Sequence, residues 1–168
     1  MNMIEAVQSC LKKYVGFSGR ARRSEYWYWV LATFIIAVIL AIIEAVLGLS
    51  TEGDGPLSNL FNLAIFLPGL AVSFRRLHDT GRSGWWIGGF YLGLLAFVII
   101  IALIIGVDYA SGDFDNFDGF GFILIIILIL AVFAYAIMLL VFMCQDSHDG
   151  PNKYGPNPKN IGNFDVFN

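Results

Sequence analysis

Arg75-Arg76-Leu77-His78-Asp79-Thr80-Gly81-Arg82-Ser83-Gly84-Trp85-Trp86 stands between two long apolar runs and carries three of the chain's ten Lys and Arg residues. Working outward, Lys12, Lys13, Arg20, Arg22 and Arg23 precede the first apolar run, and Lys153 and Lys159 follow the fourth. The two other connecting loops carry only acids: Glu52 and Asp54 in one, Asp108, Asp113, Asp115 and Asp118 in the other. Basic residues flanking membrane spans are retained on the cytoplasmic side. The distribution therefore predicts an all-α membrane protein with spans at about 26–49, 57–74, 85–107 and 120–144. Both termini are expected in the cytoplasm and the acidic loops outside.

Composition points the same way. Of 168 residues, 58% are hydrophobic and 14% charged, too apolar for a soluble domain of this length. Mean hydropathy is +0.72. The net charge of -3 averages over a segregated pattern, so it argues for no nucleic-acid partner, whereas a basic inner face suits anionic lipid. Cys10 and Cys144 are expected on the reducing side, without a disulfide framework. The first apolar run begins after about 25 residues and exceeds a signal-peptide core, so it is expected to stay as a membrane helix.

Ahead of it, Ile4, Val7, Leu11, Tyr14 and Val15 recur at helical spacing, with Asn2, Glu5, Gln8, Ser9, Lys12 and Lys13 opposite. This predicts an amphipathic interfacial helix ended by Gly16 and followed by a basic segment, together residues 1–23. Ser24 is a candidate N-cap for the first span. Trp27, Trp29, Trp85 and Trp86 are expected interface anchors. Within the spans, Glu44 is an intramembrane acid near the outer end. Pro68 removes the backbone bond to Ala64 and predicts a kink. Gly84, Gly88, Gly89 and Gly93 offer a close-packing face, and Tyr135 needs a partner for its hydroxyl. Residues 145–168 read as an irregular tail rich in turn formers.

Three inner segments hold more character than topology demands. They are Gly19-Arg20 with Arg22-Arg23-Ser24-Glu25-Tyr26-Trp27, then Arg75-Arg76-Leu77-His78-Asp79 with Gly81-Arg82-Ser83-Gly84-Trp85-Trp86, and finally Gly150-Pro151-Asn152 with Tyr154-Gly155. Together they resemble the bacterial inner-membrane family called domain of unknown function 805, from Phe17 to about Pro158. The resemblance implies fold and location, and no catalytic residue. Independently, Gly19-Arg20 and Gly81-Arg82, with His78-Asp79 and His148-Asp149, suggest two helical hairpins in parallel repeat.

Arg20, Arg22, Arg23, Arg75, Arg76 and Arg82 are the candidate anion or headgroup site, because guanidinium forks match phosphate geometry. Gly19, His78, Asp79 and Gly81 are candidate supporting residues, the glycines by opening backbone N–H groups toward phosphate. The competing reading makes the arginines orientation signals, with Arg75 paired to Asp79 one turn on. No catalytic set, cofactor motif or metal site is expected. Cys10, Cys144, His78 and His148 lack paired ligand spacing, and the acidic run from Asp113 fails the EF-hand pattern. The expected function is binding of anionic lipid headgroups or a membrane protein partner at the inner face, in envelope maintenance. Alternatives are an oligomeric transporter or channel and, less strongly indicated, an enzyme on a lipid phosphate; a homo-oligomer fits the transporter reading best.

Overall fold

The computed structural model describes residues 1–49, 55–111 and 119–159, so the acidic run from Asp113 lies outside them. Five helices make up the regular structure: α1 (Met3–Lys12), α2 (Arg23–Val46), α3 (Pro56–Asp79), α4 (Trp85–Ser111) and α5 (Gly119–Cys144). Four of them, α2 to α5, are long and apolar enough to cross a membrane. At about 1.5 Å per residue, the 24 residues of α2 reach about 36 Å, beyond a hydrocarbon core of about 30 Å. Leu63 on α3, Phe34 on α2, Leu92 on α4 and Leu130 on α5 all stand well exposed. Such a surface is an aggregation liability in water and the ordinary lipid-facing coat of a membrane protein.

Two compact units divide the chain: Met1–Gly84 with Met143–Asn168, and Trp85–Phe142. The second unit is the α4–α5 pair. Its tie is the Tyr135 hydroxyl, which donates to the Trp86 carbonyl at 2.9 Å while its ring packs on Phe90. A Cβ on Gly89 would sit 3.0 Å from that hydroxyl, so the bare backbone is what admits the phenol. The partner that a tyrosine within a span requires is thus supplied by a helix carbonyl.

In the first unit, α2 and α3 form a hairpin crossed by α1. The hairpin is closed at the end remote from the basic segments by Glu44. Its carboxylate accepts from the Leu57 amide at 2.5 Å, the Ser58 amide at 3.0 Å and the Ser58 hydroxyl at 2.5 Å. These are first-turn donors of α3, which have no partner inside their own helix. A carboxylate there also meets the positive end of the helix dipole. Gly55, the residue before α3, makes room: a Cβ would fall 2.1 Å from the Glu44 carboxyl carbon. Glu44 is buried, and its role is a helix cap supplied from a neighbouring helix.

Pro68 raises the same accounting question in mid-helix. α3 continues through it, but the Ala64 carbonyl loses its usual donor. Tyr14, just past α1, donates its hydroxyl to that carbonyl. Here the structure corrects the expected helix end: α1 stops at Lys12, well short of Gly16, where the chain turns so that Tyr14 can reach α3. α1 begins with a capping box, the Asn2 side chain accepting from Glu5 N while the Glu5 carboxylate accepts from Asn2 N.

Two further expectations are corrected. Ser24 is not an N-cap; α2 starts at Arg23, and its cap Arg22 makes no side-chain cap bond. Tertiary bonds hold the chain extended there, with Ala21 N donating to Arg75 O at 3.0 Å and Arg22 Nε to Pro158 O at 2.6 Å. Trp29 is not an interface anchor either. It is buried with Cys10, Ala21 and Val72 in the small core that joins α1 to the hairpin. Trp27, Trp85 and Trp86 remain exposed.

The proline and tyrosine make a testable pair. Tyr14→Phe strips the Ala64 carbonyl of its donor and lowers stability by about 1 kcal/mol. Pro68→Ala returns a helix N–H to the same carbonyl. In a Pro68→Ala background, Tyr14→Phe is expected to cost markedly less, a coupling that a double-mutant cycle of unfolding in detergent measures directly.

Candidate functional site

The approach to α2, the last turn of α3, the end of α5 and the tail after it meet at one place in the first unit. Gly19 and Gly81 shape it with φ of 86° and 79°, backbone that a side chain disfavours. At the centre is Asp79, fully buried. Its Oδ1 accepts from Arg20 Nε at 2.9 Å, and its Oδ2 from Arg76 Nη1 at 2.5 Å and from the Ser147 hydroxyl at 2.6 Å. Its backbone carbonyl accepts from His148 N at 3.0 Å.

The two guanidinium groups spend their other donors on carbonyls. Arg20 donates to Gly150 O at 2.7 Å, His148 O at 2.7 Å and Gly155 O at 3.3 Å. Arg76 donates to Met143 O at 3.1 Å, to Ala21 O at 3.5 Å and to Gln145 O. Burying an ion costs several kcal/mol, and the cost is offset only where geometry is good and the remaining donors are satisfied. Both conditions hold at this junction. The tail as far as Lys159 is therefore bound. Asn152 Nδ2 donates to His78 O at 2.9 Å, and Tyr154 stacks on the His78 ring with centroids 3.8 Å apart. Asn152 and Gly155 exchange backbone bonds in an isolated bridge, so the stretch read as an irregular extension is a folded strap.

A second buried pair lies beside the first. Arg75 Nη2 is 3.4 Å from Glu25 Oε1, which also accepts from the Ser9 hydroxyl of α1 at 3.0 Å. This corrects the expected Arg75–Asp79 pair: Asp79 serves Arg20 and Arg76, and Arg75 faces α2 instead. No Arg75 nitrogen makes a directed hydrogen bond among the described residues, so its hold on Glu25 is electrostatic. Cys10 lies in the same cluster. Burial, then the charge of Glu25, pushes its thiol up to about 12, which keeps it neutral at ordinary pH.

The six candidate arginines thus fall into two groups. Arg20, Arg75 and Arg76 are interior. Arg22, Arg23 and Arg82 lie nearer the surface. Arg23 pairs with Asp146 at 3.2 Å, and Lys159 pairs with the other oxygen of the same carboxylate. Lys159, with the Ser147 amide, holds the Asp146 carboxyl below its usual range. Arg22 sits alongside through Pro158, the residue before Lys159. Arg82 reaches Gln145 Oε1 at 2.7 Å. The supporting residues Gly19, His78, Asp79 and Gly81 are all at this junction, where His78 Nδ1 lies 3.2 Å from Gly19 O.

Sequence reasoning missed Glu25, Ser147, Asp146 and Tyr154 as members. The available signal was an acid set inside a basic segment, as Glu25 and Asp79 are, since a buried guanidinium needs one. Among the described residues there is no cluster of three His, Cys, Asp or Glu side chains placed to hold a metal.

Arg20, Arg76, His78, Asp79, Asn152, Tyr154 and Gly155, which meet here, all come from the three inner segments. Residues 14–156 match the family described as protein of unknown function (DUF805). The chain belongs to this family. It is 35% identical over 150 residues to inner membrane protein YhaH of Escherichia coli (strain K12), covering 89% of this chain and 92% of that protein. It is 39% identical over 151 residues to inner membrane protein YhaI of the same organism, covering 90% and 92%. No solved structure matches. Within this DUF805 chain the glycine, arginine and aspartate motifs meet as one ion-paired junction, which gives them a structural role.

Asp79→Asn tests that role. It leaves Arg20 and Arg76 buried without a counter-charge, and breaking a buried pair costs about 3–5 kcal/mol. The expected outcome is loss of the native fold, or release of the strap so that a protease cleaves after Cys144. Arg23→Ala removes an exposed pair and is expected to cost about 1 kcal/mol or less.

Proposed function

We propose that this protein is a non-catalytic, multi-pass component of the bacterial inner membrane whose basic junction faces the cytoplasm and binds anionic lipid headgroups. The observation that carries the reading is the outer patch: Arg23 and Lys159 on the exposed carboxylate of Asp146, with Arg22 alongside on the Pro158 carbonyl. Three cations and one paired carboxylate meet here, and Arg23 opens the helix whose first turns carry the exposed aromatics Trp27 and Tyr28. Aromatic rings and basic side chains at one end of a membrane helix mark the headgroup level. In this arrangement Arg20, Arg75 and Arg76 build the scaffold, with Gly19, His78, Asp79 and Gly81, and the outer cations meet the lipid. Arg82 belongs to the same rim.

Two observations weigh against transport as the role. Glu44, the acid expected within a span, is consumed as the cap of α3, and the Tyr135 hydroxyl is consumed by the Trp86 carbonyl. An enzyme on a lipid phosphate needs a nucleophile or base beside the cations. The junction's carboxylate Asp79 is instead held by two guanidinium groups and a hydroxyl.

Sidedness is tested in a background lacking Cys10 and Cys144, with a new thiol at Asp115. Labelling is expected only from the periplasm, and labelling only from the cytoplasm overturns the orientation. Binding is tested by native mass spectrometry of gently extracted protein. Each basic residue near an anionic leaflet contributes about 1 kcal/mol, so replacing Arg22, Arg23 and Lys159 together by Gln should cut retention of phosphatidylglycerol about tenfold or more. Retention of phosphatidylcholine should stay unchanged. Equal retention of phosphatidylglycerol by both proteins removes the headgroup reading.

A further inference from the structure

α1 docks on the hairpin through its small residues. Ala6 and Cys10 are fully buried, whereas Ile4, Leu11 and Val15, three residues of the apolar face read from the sequence, stay exposed. It is pinned by Ser9 on Glu25 and, just past its end, by Tyr14 on the Ala64 carbonyl. Beside its first half, apolar side chains of both helices line an opening. An open groove of about 290 Å³ lies between Met3, Ile4 and Val7 of α1 and Ala32, Ile35 and Ile36 of α2. Its lining shows no polar surface, although Gln8 stands at its edge.

Depth decides what can fill it. Ala32 and Ile36 lie about 14 and 20 Å along α2 from Arg23 at 1.5 Å per residue. They are past the aromatic residues Trp27 and Tyr28, within the thickness of the hydrocarbon core. Water has no hydrogen-bonding partner at such a carbon wall, and an unfilled space forfeits dispersion contacts on every side. A helix is about 10 Å across and does not enter a groove of this volume. A flexible hydrocarbon chain does, and the surrounding bilayer supplies it at high concentration. We propose that the α1–α2 groove seats one acyl chain of a bilayer phospholipid. The lipid meets α1 on two sides: one chain lies under Ile4 and Val7, while Leu11 rests among neighbouring chains. Lys12 and Lys13, both exposed, point the same helix end toward headgroups. This inference deepens the lipid reading but rests on the groove's depth and shape, not on the outer cations.

The test uses the full chain in liposomes of a phospholipid carrying a photoactivatable diazirine in its acyl chain, with cross-linked sites mapped by mass spectrometry. Labelling is expected to concentrate on Met3–Val7 and Ala32–Ile36, above the level at exposed Val38 and Ile42 farther along α2. Ala32→Leu fills the groove floor, and labelling there should fall roughly tenfold, as expected when about two methylenes lose their burial. Met3→Trp fills the groove from its rim and should act likewise, which keeps the test decisive if leucine at position 32 disturbs folding. Changing the headgroup from glycerol to choline, or replacing Arg22, Arg23 and Lys159 by Gln, should leave groove labelling intact. Labelling spread evenly along α2, or unaltered by both filling substitutions, overturns the proposal. Loss of labelling on the headgroup change alone overturns it too, since the headgroup would then be what places the chain.

Discussion

One buried carboxylate holds the first unit of this protein together. Asp79 sits at the end of α3 between Arg20, from the segment entering α2, and Arg76, from its own helix. With Ser147 of the tail as a third donor, both carboxylate oxygens are hydrogen-bonded. The site carries more positive than negative charge, and that excess is tolerable only because the remaining guanidinium donors end on backbone carbonyls. Most of those carbonyls belong to the end of α5 and to the strap after it. The ion pairs therefore determine where the C-terminal segment lies.

Membrane proteins have little hydrophobic driving force between helices, so polar contacts and close packing carry the specificity. The described contacts of the α1–α3 unit follow that rule from end to end. Glu44 caps α3 at one end of the hairpin, Tyr14 serves the carbonyl orphaned by Pro68 in the middle, and Glu25 with Arg75 closes the basic end. Each supplies a partner for a backbone or charged group that lipid cannot satisfy. The α4–α5 unit uses the same device once, in Tyr135 and the Trp86 carbonyl, with Gly89 giving way for the ring. The family motifs are thereby explained without a ligand. Arginine at positions 20 and 76 is needed for its fork of donors, and glycine at positions 19 and 81 for its positive φ. Gly19 and Gly81 share a positive φ, yet the arginines that follow them have different partners. Arg20 is buried on Asp79, while Arg82 reaches Gln145.

Local chemistry in the sequence determined the helices. Runs of apolar residues long enough to cross the bilayer, aromatic flanks and proline at the start of α3 act within a few residues of where they stand, so α2 to α5 are legible one by one. The family motifs were legible too, as residues that belong together. Partner choice was not legible. Arg75, Arg76 and Arg20 are the same residue type in similar basic segments, and only the packing of α3 on α2 decides that Arg75 meets Glu25, leaving Asp79 to Arg76 of its own helix and to Arg20. A helix periodicity names faces but does not say which face meets protein and which meets lipid. α1 turned its small Ala6–Cys10 face inward against the larger apolar stripe, because close approach favours small side chains and lipid accepts the large ones. Helix ends followed distant bonds for the same reason: Arg22 caps α2 and Lys12 ends α1 because Arg75, Pro158 and Ala64 lie nearby only once the chain has folded.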